Sequence, residues 1–169
     1  MRVARHGKKA LIRARMNALL EPEVIAALYE ASQAGVKIEL VVRGVCALRP
    51  GVPGVSDNIR VYSVLGRFLE HSRVFYFHAG GAELVYFGSA DWMGRNFFRR
   101  IEVCAPVLDP KLKRRVIREG LLAPLARDGE VWEMQPDSSW RRRKGKRGAH
   151  AQQKLLAALA AGPVTGRSA

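Results

Sequence analysis

The sequence predicts an α/β domain, and three observations carry that prediction. Residues 10–42 read as strand, helix, strand, the unit of a parallel pair. The second strand, in VKIELVV at 36–42, is too apolar for a strand with one wet face and belongs in a sheet covered on both sides. Charge is also unevenly placed. Six Lys or Arg lie in residues 1–20 and eight in residues 138–169, two stretches without a single acid. The other fifteen cations share residues 21–137 with all fifteen Asp and Glu. A neutral middle in a chain that is 48 % hydrophobic suits one core of the size that 169 residues can build, carried between basic ends.

Each element follows from local chemistry. Residues 10–17 (ALIRARMN) form a short first strand. Pro22 suits the first turn of a helix, where its missing N–H is not needed. Val24, Ile25, Leu28 and Ala31 follow at helical spacing, and Gly35 can end the helix in the left-handed region. The buried strand then ends at Arg43. Residues 44–58 form a long loop punctuated by Pro50, Gly51, Pro53 and Gly54. Ile59–Val64 is a strand, 66–70 a helical turn, and 73–77 and 84–87 a hairpin joined across AGGA. Residues 100–107 are a further apolar run. Asp109 caps a helix with Pro110 in its first turn, with Leu112, Val116, Leu121 and Leu125 as its apolar stripe. Val131–Met134 returns to the sheet. After Asp137 the composition turns basic, with RRRKGKR at 141–147, then an Ala- and Leu-rich helix at 152–161 and a loose GPVTGRSA. The expected division is a domain over 1–137 and a basic tail carrying a helix over 138–169.

Several classes are excluded. No apolar run approaches the ~18–20 residues of a membrane span, and no signal-peptide apolar region follows the basic N-terminus. Cys46 and Cys104 make no CxxC pair and are too few for a disulfide scaffold, which fits a cytoplasmic location. Zinc spacings, HExxH, an EF-hand loop and the Walker loop are absent, and no metal site is expected in this chain.

The densest candidate chemistry lies between residues 43 and 100, where every cation is Arg. A guanidinium fork grips phosphate oxygens in bidentate fashion. Arg43 stands at the carboxyl end of a buried strand, where open α/β sheets place their ligands. His71 follows a polar turn in RFLEHSRVFYF, with Arg73 two residues on and on the same face if the strand begins there. GSADWMGRN starts at Gly88; its small residues would let backbone N–H groups, with Ser89, approach a ligand. Within it Asp91 reads as a loop-capping carboxylate and Trp92 as a core anchor. Arg100 reads either as a phosphate ligand or as the ion-pair partner of Glu102 or Glu70. His6 and His78 are expected to face solvent.

H-S-R followed by G-S-A-D resembles, in degenerate form, half of a phospholipase-D-type site, with Arg73 in place of its lysine. Longer stretches are more specific. MNALLEPEVIAALYEASQAGVKIELVVRGVCALRPGVPG, SDNIRVYSVLGRFLEHSRVFYF, SADWMGRN and RRIEV cover most of residues 16–107. In that order and spacing they are similar to the C-terminal domain of the long, histidine-dependent polyphosphate kinases. The resemblance implies a phospholipase-D-like α/β fold, a mixed sheet flanked by helices in a single domain. It implies an enzyme that moves the terminal phosphate of ATP onto polyphosphate, and back, through a phosphohistidine. By motif, Arg43 of VVRGVC and His71 of LEHSR match nucleotide-contacting positions, and Arg100 of RRIEV a third phosphate-facing one. His71 would act as an acid or stabilise charge at the transferred group, without itself being phosphorylated. Arg73 and Ser89 would support it.

The family's phosphorylated histidine and its magnesium-holding arginines belong to preceding domains that this sequence lacks. The resemblance therefore implies ATP and polyphosphate as substrates, Mg2+ for the complete enzyme with ligands outside this chain, and upstream kinase domains as the partner, from the same gene or a separate chain. It admits a homo-oligomer. The chain is expected to be an incomplete fragment, inactive alone. Two other readings use the same residues. One is a phospholipase-D-type phosphodiesterase half-site, completed by a second copy. The other is a non-catalytic polyanion- or nucleic-acid-binding module driven by the basic ends, with steep salt dependence.

Overall fold

A computed structural model describes residues 10–126, 131–143 and 151–161. Strands β1 (Ala10–Met16), β2 (Lys37–Val42) and β3 (Ile59–Val64) run parallel, with helix α1 (Pro22–Gln33) connecting the first two. Strands β4 (Arg73–Ala79) and β5 (Ala82–Gly88) form an antiparallel hairpin on the free side of β1, and after a short helix α2 (Gly94–Phe98) strand β6 (Cys104–Pro106) pairs with β5. Strands β7 (Val131–Met134) and β8 (Trp140–Arg142) extend the opposite edge. The eight strands make one mixed sheet, ordered β6-β5-β4-β1-β2-β3-β7-β8.

Alternation along the strands supplies two packed faces. Ile38, Leu40 and Val42 point with Ala14 and Met16 toward Leu28 and Ala31 of α1. Val74, Tyr76 and Val85 pack on the other face against Leu121, and Val41, Tyr62 and Val64 pack beside Leu125. This is why β2 reads as a continuous apolar run. The turn residues do what their chemistry requires. Gly35, at φ 86°, follows α1, and Gly80 and Gly81, at φ 60° and 93°, form the two-residue turn of the β4–β5 hairpin. The Asp109 carboxylate accepts the Leu112 N–H at 2.8 Å and caps α3 (Pro110–Val116).

Four expectations change. Residues 66–70 bend without forming a helical turn, and only Cys104–Pro106 of the 100–107 run is strand. The helix after Asp109 widens into a π-helical segment, Ile117–Leu122, then tightens into a 3-10 turn, Ala123–Leu125. Val116 and Leu121, five residues apart, reach the same core, in keeping with the i→i+5 hydrogen bonding of a π turn. Leu112, on the regular first turn, is left exposed. His78 is half-buried on β4 rather than fully exposed.

The change to basic composition after Asp137 does not coincide with an end of the sheet. Trp140 pairs with Met134 and Arg142 with Trp132, and the first two residues of α4 (Ala151–Ala160) are buried. Arg141 and Arg142 sit on an edge strand, where charge is tolerated and discourages further pairing. Residues 144–150 of the basic run, His6 and the GPVTGRSA segment lie outside the described residues.

Candidate functional site

The parallel strands β1, β2 and β3 end on one side of the sheet, and the antiparallel register brings the start of β4, the end of β5 and the start of β6 to the same side. Asn17, Arg43, His71, Arg73, Ser89 and Asp91 therefore meet along one edge, although 74 residues separate the first from the last. A crossover topology of this kind gathers ligand-facing residues at carboxyl ends of strands.

His71 is exposed, at the end of a segment (65–72) that is neither helix nor strand. Arg43, half-buried at the end of β2, donates from Nη1 to the Glu70 carbonyl at 2.6 Å, so the two principal candidates are neighbours through one peptide group. Arg73 holds His71 from the other side. Its Nη1 lies 3.0 Å from His71 Nδ1 and donates to the His71 carbonyl at 3.1 Å. A guanidinium has no acceptor. The ring nitrogen it faces is thus the lone-pair nitrogen, and a neutral His71 carries its proton on Nε2.

The rest of the Arg73 fork is engaged by Asp91, with Nε to Oδ1 at 3.2 Å and Nη2 to Oδ2 at 3.0 Å. Asp91 also accepts the backbone N–H groups of Asn17 at 2.7 Å and Ala18 at 3.3 Å. The Asn17 amide completes the cluster, its nitrogen donating to the Glu70 carbonyl at 3.1 Å and its oxygen accepting from Arg73 at 2.9 and 3.1 Å. Burial opposes ionisation of Asp91, but Arg73 and the Asn17 N–H outweigh it and hold the carboxyl below its usual range. The loop-capping role expected of Asp91 is present, joined by a buried ion pair that spacing did not reveal.

The glycine-rich turn is occupied by its own protein. A Cβ on Gly88 would lie 2.6 Å from the Val103 carbonyl, so that glycine serves strand approach. The N–H groups of Ser89 and Trp92 donate to Val103 and Ala18. The Ser89 hydroxyl donates to Glu102 and accepts from the Val103 N–H at 3.0 Å. Ser89 and Asn96 together hold the Glu102 carboxyl below its usual range. Arg100 is exposed beside Glu102, and among the described residues it makes no ion pair within 4 Å with Glu102 or Glu70. Trp92 stacks on Phe75, with ring centroids 5.2 Å apart, and packs against the core as expected. Asn17, Arg15 and Gln152 were not singled out from the sequence, and Glu70 entered only as a possible partner of Arg100. Asn17 carried a signal all the same, since it follows β1 as Arg43 follows β2.

Among the described residues no three His, Cys, Asp or Glu side chains come together to hold a metal. Asp91, a buried carboxylate at this edge, is taken by Arg73 and is not free to ligate a magnesium ion. No helix among the described residues is long and apolar enough to cross a membrane.

Fold and site together define an α/β domain that presents arginines and a histidine where its parallel strands end. A family model described as polyphosphate kinase C-terminal domain 2 matches residues 1–154, and the chain belongs to that family. It is 64 % identical over 155 residues to a polyphosphate kinase of Burkholderia multivorans, covering 91 % of this chain and 23 % of that protein. Against the polyphosphate kinase of Paraburkholderia phytofirmans the identity is 63 % over 154 residues, 90 % of this chain and 22 % of the relative. A crystal structure of polyphosphate kinase from Porphyromonas gingivalis superposes with a TM-score of 0.87 at 38 % identity, over 95 % of this chain and 25 % of that one. The chain thus spans about a quarter of the length of its relatives, as their C-terminal part. The mixed sheet flanked by helices implied by the resemblance is the architecture found.

Proposed function

We propose that this domain binds the phosphates of ATP and polyphosphate at the Arg43–His71 edge and serves phosphoryl transfer between them, together with upstream domains of a larger enzyme. The observation that carries the reading is the meeting of Arg43 and His71 at Glu70. Two groups far apart in sequence, each matched to a nucleotide-contacting position of the family, share one piece of backbone.

Phosphoryl transfer asks the protein for positioning and for neutralisation of spreading negative charge. Arg43 supplies a fixed cation beside His71, and the exposed Arg100 a second one toward the same edge. His71 presents Nε2–H, a donor for an oxygen on which charge develops. Of the two roles open to it, the Arg73 contact favours charge stabilisation over delivery of a proton. Arg73 and Asp91 act by holding the ring, and Ser89 braces the turn beside them. The phosphodiesterase alternative needs the cation of H-x-K on the phosphate, whereas the fork of Arg73 is already held by Asp91.

Two expectations follow directly. Arg43→Ala should weaken ATP binding by about 10–150-fold, the loss of one charged hydrogen-bonding group worth about 1.5–3 kcal/mol. Arg43→Lys should restore only part, because an ammonium cannot reproduce the fork. Calorimetric titration of the 169-residue chain with ATP checks both, and an unchanged Kd in Arg43→Ala removes Arg43 from the site. The chain by itself should make no polyphosphate from ATP, since no residue in this reading accepts a phosphoryl group. Synthesis by the purified chain would overturn the assignment of His71 as a non-phosphorylated group.

A further inference from the structure

Segment 65–72 carries His71 and is the least regular part of this edge. It contributes no helix or strand, and its apolar side chains face outward: Leu65 is 50 % exposed, Phe68 46 % and Leu69 78 %. Among the described residues, polar contacts from elsewhere hold its Phe68–Glu70 part. Arg43 and Asn17 take the Glu70 carbonyl, and Arg15 pairs with the Glu70 carboxylate at 2.5 Å.

The remaining contacts come from the C-terminal helix. Gln152, on the first turn of α4 and 6 % exposed, engages the segment as a neighbouring strand would. Its Oε1 accepts the Phe68 N–H, while its Nε2 donates to the Phe68 carbonyl and to Glu70 Oε1, each at 2.8 Å. Both amide hydrogens and the amide oxygen are thereby used on three groups within two residues of one another. A carboxamide is the group that can donate and accept across such a pair. Helix α4 lies against the 3-10 turn Ala123–Leu125 and is largely exposed beyond its first two residues, so the buried Gln152 is the polar side chain this helix turns toward segment 65–72. The family match runs to residue 154, two positions past it.

We infer that Gln152 is a positioning residue for His71: the C-terminal helix clasps the backbone three residues ahead of the histidine, so the site is incomplete without residues that composition assigns to a tail. The functional meaning rests on the reading that His71 serves the site, but the clasp is tested without ATP. In the 169-residue chain, Gln152→Ala should speed hydrogen exchange of the Phe68 amide roughly tenfold or more and shift or broaden the His71 ring C–H signals. Exchange at Ile38, in the buried strand β2, should not change. Gln152→Glu keeps the shape and one acceptor but loses both donors and sets a second carboxylate against Glu70. It should move the His71 signals the same way while α4 stays helical, and it carries the test if the alanine variant does not fold. His71 signals at their wild-type positions in either folded variant, or Ile38 accelerated as much as Phe68, would overturn the inference. An ATP titration of the wild-type chain decides separately whether the site binds nucleotide.

Discussion

His71→Ala is expected to lower phosphoryl turnover by roughly 10²–10³-fold, the usual cost of removing one positioned donor to developing charge, once upstream domains are supplied on a second chain or as a fusion. The fold should survive, because His71 is exposed and, among the described residues, its ring nitrogen meets only the side chain of Arg73, which stays anchored on Asp91. His71→Gln sharpens the test. A carboxamide can still donate an N–H to a phosphoryl oxygen but cannot deliver a proton. Partial activity in that variant supports a neutral donor, and activity as low as that of His71→Ala points to proton transfer. His78→Ala, at the far end of β4 and away from the site, is the control and should be nearly silent. Equal losses at His71 and His78, with melting curves for each, would show that His71 matters for structure alone.

Asp91→Ala is expected to destabilise the chain by about 3–5 kcal/mol, the cost of leaving one member of a buried ion pair without its partner. It also removes the acceptor for the Asn17 and Ala18 N–H groups at the end of β1. Urea unfolding measures the effect, and a loss below about 1 kcal/mol would mean that the pair behaves as an exposed one. The same carboxylate makes stability depend on pH. Its folded value lies below its unfolded one, so its stabilisation is present above the unfolded value and is lost as the pH falls through the folded value. The melting temperature should therefore drop on acidification below the ordinary carboxylate range. Asp91→Asn should start lower and lose that part of the slope. An Asp91→Asn chain with the wild-type acid slope would place the titration on other groups.

Much of this molecule is written in short stretches of sequence. The Pro22 start and Gly35 end of α1, the two-glycine hairpin and the Asp109 cap each depend on the backbone preference of one or two residues, and they stand where local chemistry puts them. Burial of β2 on both faces is readable because a covered strand has to be apolar throughout. Arg43 and His71 are legible for a related reason: one ends a buried strand, and the other lies in a motif matched by a whole family. Three things required the folded chain. The Arg73–Asp91 pair joins β4 to the turn after β5, and it shows what the fork of Arg73 holds on either side, a carboxylate and the ring of His71. The course of segment 65–72, with its exposed apolar side chains, has no local cause and follows from side chains on β1, β2 and α4. The C-terminal residues look detached by charge, yet β8 pairs at the sheet edge and Gln152 closes on Phe68. Composition reports how residues meet water, and local spacing reports how a chain segment bends. Neither reports which distant polar groups will satisfy one another once the strands are in register, and at this site that pairing decides what each charged side chain is left to do.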